Sequence, residues 1–502
     1  MDIFSNLLSG FQIVLQPFNF LYCFLGVFIG TLIGVLPGIG PIGTMSILLP
    51  VTFGVPPVTG VIILAGIYYG AMYGGSTTSI LVNIPGEAAS VITCLDGYQM
   101  ARQGRAGPAL GISAIGSFIG GTFSIIALMF LVTPLAKVAV QFGPPEYLAL
   151  MCLGITTVTY LARGSVIKAV IMAILGLILG CVGTDLISGK FRFEFGIPEL
   201  ADGIDLVPLA MGLFGISEIL TNVEKPFRRV IYETKIKNLL PNHEDWRRST
   251  GPIIRGSFLG FLLGVLPGGG AILASFVSYS VEKKVSKQPE SFGRGAIEGV
   301  AGPETANNAA TGGGFVPLLS LGIPSNVIMA ILLGALLIHG VAPGPMLIQD
   351  HPDIFWGVIA SMYIGNGMLL LLNLPFIGLW VKLLKVPYGL LFPLILLFTL
   401  IGAYCSNGKI FDLLIMIFFG VVGYVLRKFG YEEAPLLLAF ILGPLLEQAF
   451  RQSLVMSNGQ LSIFLTRPVS LVALLLCVVL YASSGMSIFR QARNKVADIA
   501  DR

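Results

Sequence analysis

Four hydroxyl side chains in a row, Ser76-Thr77-Thr78-Ser79, follow Gly74-Gly75 and precede Asn83-Ile84-Pro85-Gly86. Hydroxyls inside a helix can simply bond their own carbonyls. Here the flanking Gly-Gly and Asn-x-Pro-Gly predict an irregular backbone over 73–86, one that presents Ser76, Thr77, Thr78 and Asn83 to a ligand and Ser79 to a cation. A second polar run follows at Glu304-Thr305-Ala306-Asn307-Asn308-Ala309-Ala310-Thr311. Glu304 is the only charged residue between Glu298 and Asp350. A carboxylate at membrane depth is costly and marks a functional site by default. Glu304, Asn307, Asn308 and Thr311 lie three to four apart, so a helix puts them on adjoining faces. All offer oxygen, which suits a hard cation such as Na+, or a proton at the carboxylate. Glu304 and Asn307 are therefore cation candidates, and Asn307, Asn308 and Thr311 substrate candidates. The competing role for this run is a capping and interhelix network.

A third feature occurs twice. Residues 26–42 read GVFIGTLIGVLPGIGPI and residues 256–272 read GSFLGFLLGVLPGGGAI, identical at eleven of 17 positions with a constant offset of 230. Gly26, Gly30 and Gly34 pair with Gly256, Gly260 and Gly264. Glycines at this spacing let one helix approach another closely. The Leu-Pro-Gly that follows ends the helix at membrane depth, where freed backbone groups need protein partners or a water-filled cavity. Broken helices meeting near the midplane are how secondary transporters build sites, and free helix N-termini favour an anion. Pro37, Gly38 and Gly40, with Pro267, Gly268, Gly269 and Gly270, are accordingly expected at a substrate site. A packing kink without ligand contact is the alternative. A second echo pairs Ile84-Pro85-Gly86 with Ile323-Pro324-Ser325.

The elements that carry these residues belong in a bilayer. Of 502 residues, 55% are hydrophobic and 11% charged, with a mean hydropathy of +0.87. Average soluble domains are roughly 25% charged, so a soluble enzyme, a nucleic-acid binder and a disordered chain are all excluded as leading classes. Residues 3–86 carry no Asp, Glu, Lys or Arg, room for two or three spans at about 20 residues each. The composition predicts an all-α polytopic membrane protein with about 11–13 crossings in two homologous repeats containing re-entrant or broken helices. The repeats are inverted if each half crosses an odd number of times. The expected divisions are a first repeat over 1–221, a charged connector over 222–255, a second repeat over 256–485 and a basic tail over 486–502. Positive charge collects on cytoplasmic loops, which puts the connector and tail on the cytoplasmic side.

The six cysteines are scattered without metal spacing, and no catalytic grouping, phosphate loop or metal cluster appears in the sequence. Gly38-Ile39-Gly40-Pro41-Ile42-Gly43 matches a dinucleotide pattern in letters only, lacking the strand–turn–helix context that would give it meaning. No cofactor, structural metal or nucleic-acid partner is expected. A channel would need a continuous polar lining or a charged ring, against which the charge-free cores argue. An intramembrane enzyme would need a nucleophile–base pair.

Read together, the segments GVLPGIGP, YGGSTTSILVNIPGEAASVITCLDGYQMARQGRAGPAL, GVLPGGGA, EKKVSKQPESFGRGAIEGVAGPETANNAATGGGFVPLLSLGIPS and LLGALLIHGVAPGPML resemble the large membrane subunit of the tripartite tricarboxylate transporters, the TctA family. The resemblance runs over nearly the whole length. It departs at Ser325, where the family usually has glycine after Gly-Ile-Pro, which puts in question the close approach at that turn. The resemblance implies a bacterial inner-membrane secondary transporter. It implies two protein partners: a small membrane subunit (TctB-like) and a periplasmic solute-binding protein (TctC-like). It also implies a citrate-like di- or tricarboxylate as substrate and a Na+ or proton gradient as the driving force. Residues 3–86 and 256–281 contain no Lys or Arg. Such an anion would thus be held by helix N-termini, backbone N–H, hydroxyls and amides, with bound cations offsetting part of its charge.

Overall fold

The computed structural model describes residues 3–36, 40–162, 165–185, 188–224, 239–266, 270–384 and 388–483. The predicted site residues Pro37, Gly38, Pro267, Gly268 and Gly269, the connector's basic residues from Lys225 to Lys237, and the tail lie outside the described residues. The chain is helical nearly throughout. In order, its first helices are α1 (Ile3–Val14), α2 (Pro17–Val35), α3 (Gly40–Leu48), α4 (Pro57–Val82), α5 (Thr93–Arg102) and α6 (Ala106–Ala139). Then come α7 (Pro144–Tyr160), α8 (Val166–Gly180), α9 (Leu206–Ala210) and α10 (Ser217–Glu224). The second half brings α11 (His243–Val265), α12 (Gly270–Val285), α13 (Glu298–Gly313), α14 (Phe315–Leu321), α15 (Val327–Ile338), α16 (Leu347–Asp350) and α17 (Pro352–Asn373). Then follow α18 (Ile377–Leu383), α19 (Tyr388–Asn407), α20 (Ile410–Lys428), α21 (Ala434–Met456) and α22 (Ile463–Thr466), and last an apolar helix over Pro468–Ser483. Among the described residues, seven helices are long and apolar enough to cross a membrane, and six shorter apolar helices accompany them. The protein is an all-α polytopic membrane protein.

Packing divides the chain into two compact units, one of residues 1–139 and 205–425, the other of 140–204 and 426–502. This division by contact differs from the sequence repeat, because both repeated hairpins fall in the first unit. The second unit packs α21 on α7 and α8. Gly176 of α8 lies so close to the Leu436 carbonyl that no side chain fits there. Arg192 bonds Glu447 at 2.8 Å and Arg451 bonds Asp185 at 2.9 Å.

In the first unit, α4 carries no charged residue and 94% of its membrane-length window is buried, the pattern of a helix surrounded by others. Its nearest partner is α2. A Cβ on Gly30 would lie 2.9 Å from Gly70 Cα, and one on Gly34 would lie 2.8 Å from Gly75 N. Neither site can accept a side chain. The second half repeats the device: a Cβ on Gly260 or Gly264 of α11 would lie 2.6 Å from the Cα of Ala306 or Ala310 on α13. Among the described residues, each repeat is thus a glycine-striped helix followed in sequence, beyond Leu36 or Leu266, by a helix opening on a left-handed glycine. Gly40 starts α3 with φ +65° and Gly270 starts α12 with φ +52°.

One local expectation fails. The backbone over 73–82 is regular helix and not irregular. Gly74 serves close packing on α2, where an added Cβ would lie 2.9 Å from Val35 N. Ser76 and Ser79 bond back to Met72 O and Gly75 O at 3.2 and 3.0 Å, the local bonding by which hydroxyls fit inside a helix. The irregularity starts one turn later, where Asn83 takes a left-handed conformation (φ 58°) and ends the helix.

Candidate functional site

Glu304 stands on α13, which the sequence builds as a helix of small residues because its neighbours leave no room for larger ones. The carboxylate is fully buried. It accepts hydrogen bonds from two hydroxyls of the first half: Ser76 on α4 reaches Oε2 and Thr93 on α5 reaches Oε1. The two repeats therefore meet at one carboxylate. Among the described residues no Lys or Arg lies within ion-pair distance of it. Other buried acids are differently placed. Glu282 faces Arg255, Asp245 faces Arg105, and Asp96 takes three backbone N–H groups at 2.8 Å.

The predicted residues on α13 part company from one another. Asn308 Nδ2 donates to Ser117 Oγ on α6 at 2.7 Å and to Glu304 O at 3.1 Å, which ties α13 to its neighbour. Thr311 Oγ1 donates to Asn307 O at 3.0 Å. Asn307 is fully buried, and neither its Oδ1 nor its Nδ2 has a hydrogen-bond partner. Leaving both ends of a buried amide unsatisfied costs about 1–3 kcal/mol per group, so this side chain has unmet bonding capacity.

The four hydroxyls on α4 separate likewise. Ser76 goes to Glu304. Thr78 Oγ1 donates to Val35 O at 2.6 Å, satisfying a carbonyl at the C-terminal end of α2. Ser79 Oγ lies 3.0 Å from Ser90 Oγ. Thr77 is buried. Asn83 is exposed and lies beyond this cluster at the helix end. The described tips add Gly270, which lies beside Asn326: a Cβ there would sit 3.9 Å from Asn326 Cβ. Asn326 caps α15 by accepting from Met329 N at 3.0 Å, and its amide reaches Tyr68 Oη on α4 at 3.4 Å. Ser325 keeps the close approach that glycine would allow. Its Oγ donates to Gly314 O at 3.3 Å, and the left-handed residue of this turn is Gly322 (φ +69°).

Thr93, Ser90, Glu87, Tyr68 and Asn326 escaped sequence reasoning. Thr93 and Ser90 carry no signal by type. Glu87, the first charge after an 84-residue gap, carried one.

Two glycine-packed repeats that meet at a buried carboxylate, in an all-α polytopic membrane protein, suit the transporter class. The chain belongs to the tripartite tricarboxylate transporter TctA family, whose model matches residues 20–438. It is 52% identical over 499 residues to an Agrobacterium vitis protein described as an uncharacterized 52.8 kDa protein in the TAR-I ttuC' 3' region, covering 99% of both chains. A second A. vitis protein, described as uncharacterized and in the TAR-II ttuC' 3' region, is 56% identical over 224 residues, 44% of this chain and 93% of that one. No solved structure matches the chain.

Proposed function

We propose that this chain is the translocating subunit of a secondary active system that imports a di- or tricarboxylate across the bacterial inner membrane. In this reading a small membrane subunit accompanies it, a periplasmic binding protein delivers the anion, and a Na+ or proton gradient drives uptake. The connector and tail face the cytoplasm, where their positive charge belongs. The observation that carries the reading is the fully buried Asn307 with both amide ends free, one turn from Glu304, where the two repeats meet. A site with no Lys or Arg in its repeat cores holds an organic anion through neutral donors: backbone N–H at the starts of α3 and α12, hydroxyls and amides. A transported cation then offsets part of the charge, which links the two bindings. The role is transport and not catalysis.

The test is uptake into proteoliposomes that contain this chain with the small subunit, supplied with the binding protein and a panel of labelled di- and tricarboxylates. Saturable accumulation that requires an imposed Na+ or pH gradient is expected. Uptake indifferent to both gradients sinks the coupling, and a steady leak down the anion's own gradient indicates a channel.

A further inference from the structure

The hydroxyl run on α4 and the loop after it close on each other. Ser76 and Ser79 lie one turn apart on α4. Ser90 and Thr93 lie three apart where the short 3-10 helix Ala88–Val91 runs into α5. Ser79 and Ser90 are 3.0 Å apart, and Ser76 and Thr93 both donate to Glu304. The four hydroxyls thus form two neighbouring pairs across facing elements: Ser79 with Ser90, and Ser76 with Thr93 through Glu304.

A second carboxylate stands beside the Ser79–Ser90 pair. Glu87 caps the 3-10 helix: its Oε2 accepts from Ala89 N, and its own N–H lies 3.4 Å from Ser90 Oγ. Its side chain lies over Gly75, where an added Cβ would come 2.7 Å from Glu87 Cγ and 3.2 Å from Ser90 Oγ. Glu87 is 7% exposed, and its Oε1 is buried with no hydrogen-bond partner. Among the described residues no Lys or Arg pairs with it. A capping role explains one of its oxygens and leaves the other unexplained. Burying an ionised carboxylate costs several kcal/mol unless it is paired or coordinates a cation, and here two such groups adjoin one cluster of hydroxyls.

We propose that Glu87, Glu304 and the hydroxyls of Ser76, Ser79, Ser90 and Thr93 form one binding site for a hard monovalent cation, Na+, spanning the joint between the two repeats. The ligand set is all oxygen, with no imidazole or thiolate, which selects a hard ion over a transition metal. The choice of a transported, exchangeable ion rests on the proposed transport function. Binding draws Glu87, on the first repeat's loop, and Glu304, on the second repeat's helix, onto one charge. Occupancy thereby fixes the geometry of α13 and of Asn307 one turn along it.

The experiment is equilibrium binding of radioactive Na+ to the full chain in lipid nanodiscs, with no organic anion present. The wild type should bind saturably. Glu87→Gln keeps an oxygen for the Ala89 N–H and loses the charge, so its fold survives while Na+ affinity falls about tenfold or more, the scale of one charge-assisted contact. Glu304→Gln should do the same. If either glutamine variant fails to fold, Ser79→Ala decides, with about a fivefold loss for one neutral contact. Wild-type affinity in Glu87→Gln or in Ser79→Ala, or the absence of saturable binding to the wild type, overturns the site. Its failure and that of the transport reading are separable. Normal Na+ binding by Glu87→Gln in a protein whose wild type transports removes the site alone. Na+ binding lost in the variants of a protein that moves no di- or tricarboxylate removes the transport reading alone.

Discussion

In the first repeat, Gly26, Gly30 and Gly34 of α2 meet a helix that supplies its own glycines, Gly66, Gly70 and Gly74, so backbone lies on backbone. In the second, Gly256, Gly260 and Gly264 of α11 meet Gly302, Ala306 and Ala310 of α13. The frame is the same, yet the held helices bring different chemistry to the joint: α4 brings hydroxyls and no acid, α13 brings Glu304 and two amides. Duplication supplied the scaffold, and divergence on the held helices made the halves complementary, donor against acceptor. Symmetric copies would have set like groups against each other.

The comparison can be broken most forcefully at the stripe. Gly30→Val and Gly260→Val each force carbons into a partner backbone, a loss of about 3 kcal/mol or more. Neither variant should elute as a monodisperse peak in fluorescence-detected size-exclusion chromatography. Tolerance of valine in one repeat alone would show that the two stripes are not equivalent.

The next effect lies at the joint itself. Glu304→Ala strips the acceptor from Ser76 and Thr93; Ser76 keeps its bond to Met72 O, while Thr93 is left unsatisfied at about 1–3 kcal/mol. Uptake in proteoliposomes should fall at least about tenfold, and Ser76→Ala should fall less. A larger defect in Ser76→Ala than in Glu304→Ala would reverse the assignment of donor and acceptor sides.

A sharper contrast separates two neighbours on α13. Asn308→Ala removes bonds to Ser117 and to Glu304 O, and thermal unfolding in detergent should show a loss of about 1–3 kcal/mol. Asn307→Ala removes no bond seen in the structure, so stability should hold while transport falls about fivefold, one hydrogen bond's worth. Equal destabilisation by the two would mean that Asn307 is a packing residue. The smallest effect belongs to Thr78→Val, which loses only the bond to Val35 O and should cost about 1 kcal/mol. No transport change is expected beyond that.

Much of this was legible in the chain. The repeat is visible because glycine spacing and the Leu-Pro-Gly turn are backbone requirements that few residues meet. Glu304 stood out because a lone carboxylate in an apolar region is expensive. The hydroxyl run was visible but misread: the residues that suggested a broken backbone at Gly74-Gly75 are the ones that let an unbroken helix lie against α2. That depended on what α2 presents 40 residues earlier, which no local rule contains. The split between Asn307 and Asn308 was equally hidden, since it turns on Ser117 of α6.

Sequence alone determined the solvent, the helical class, the duplication and the exclusion of cationic clamps from the repeat cores, because composition and spacing act locally and set which environments a segment tolerates. Tertiary structure alone decided which polar groups are spent and which remain free. Thr78, Asn308 and half of Glu87 are spent on backbone and neighbours, while Asn307 and the other oxygen of Glu87 are left over. The physical reason is that a hydrogen bond is satisfied by whatever lies within about 3 Å, and at the joint of two repeats that neighbour comes from more than 200 residues away, as Glu304 does for Ser76.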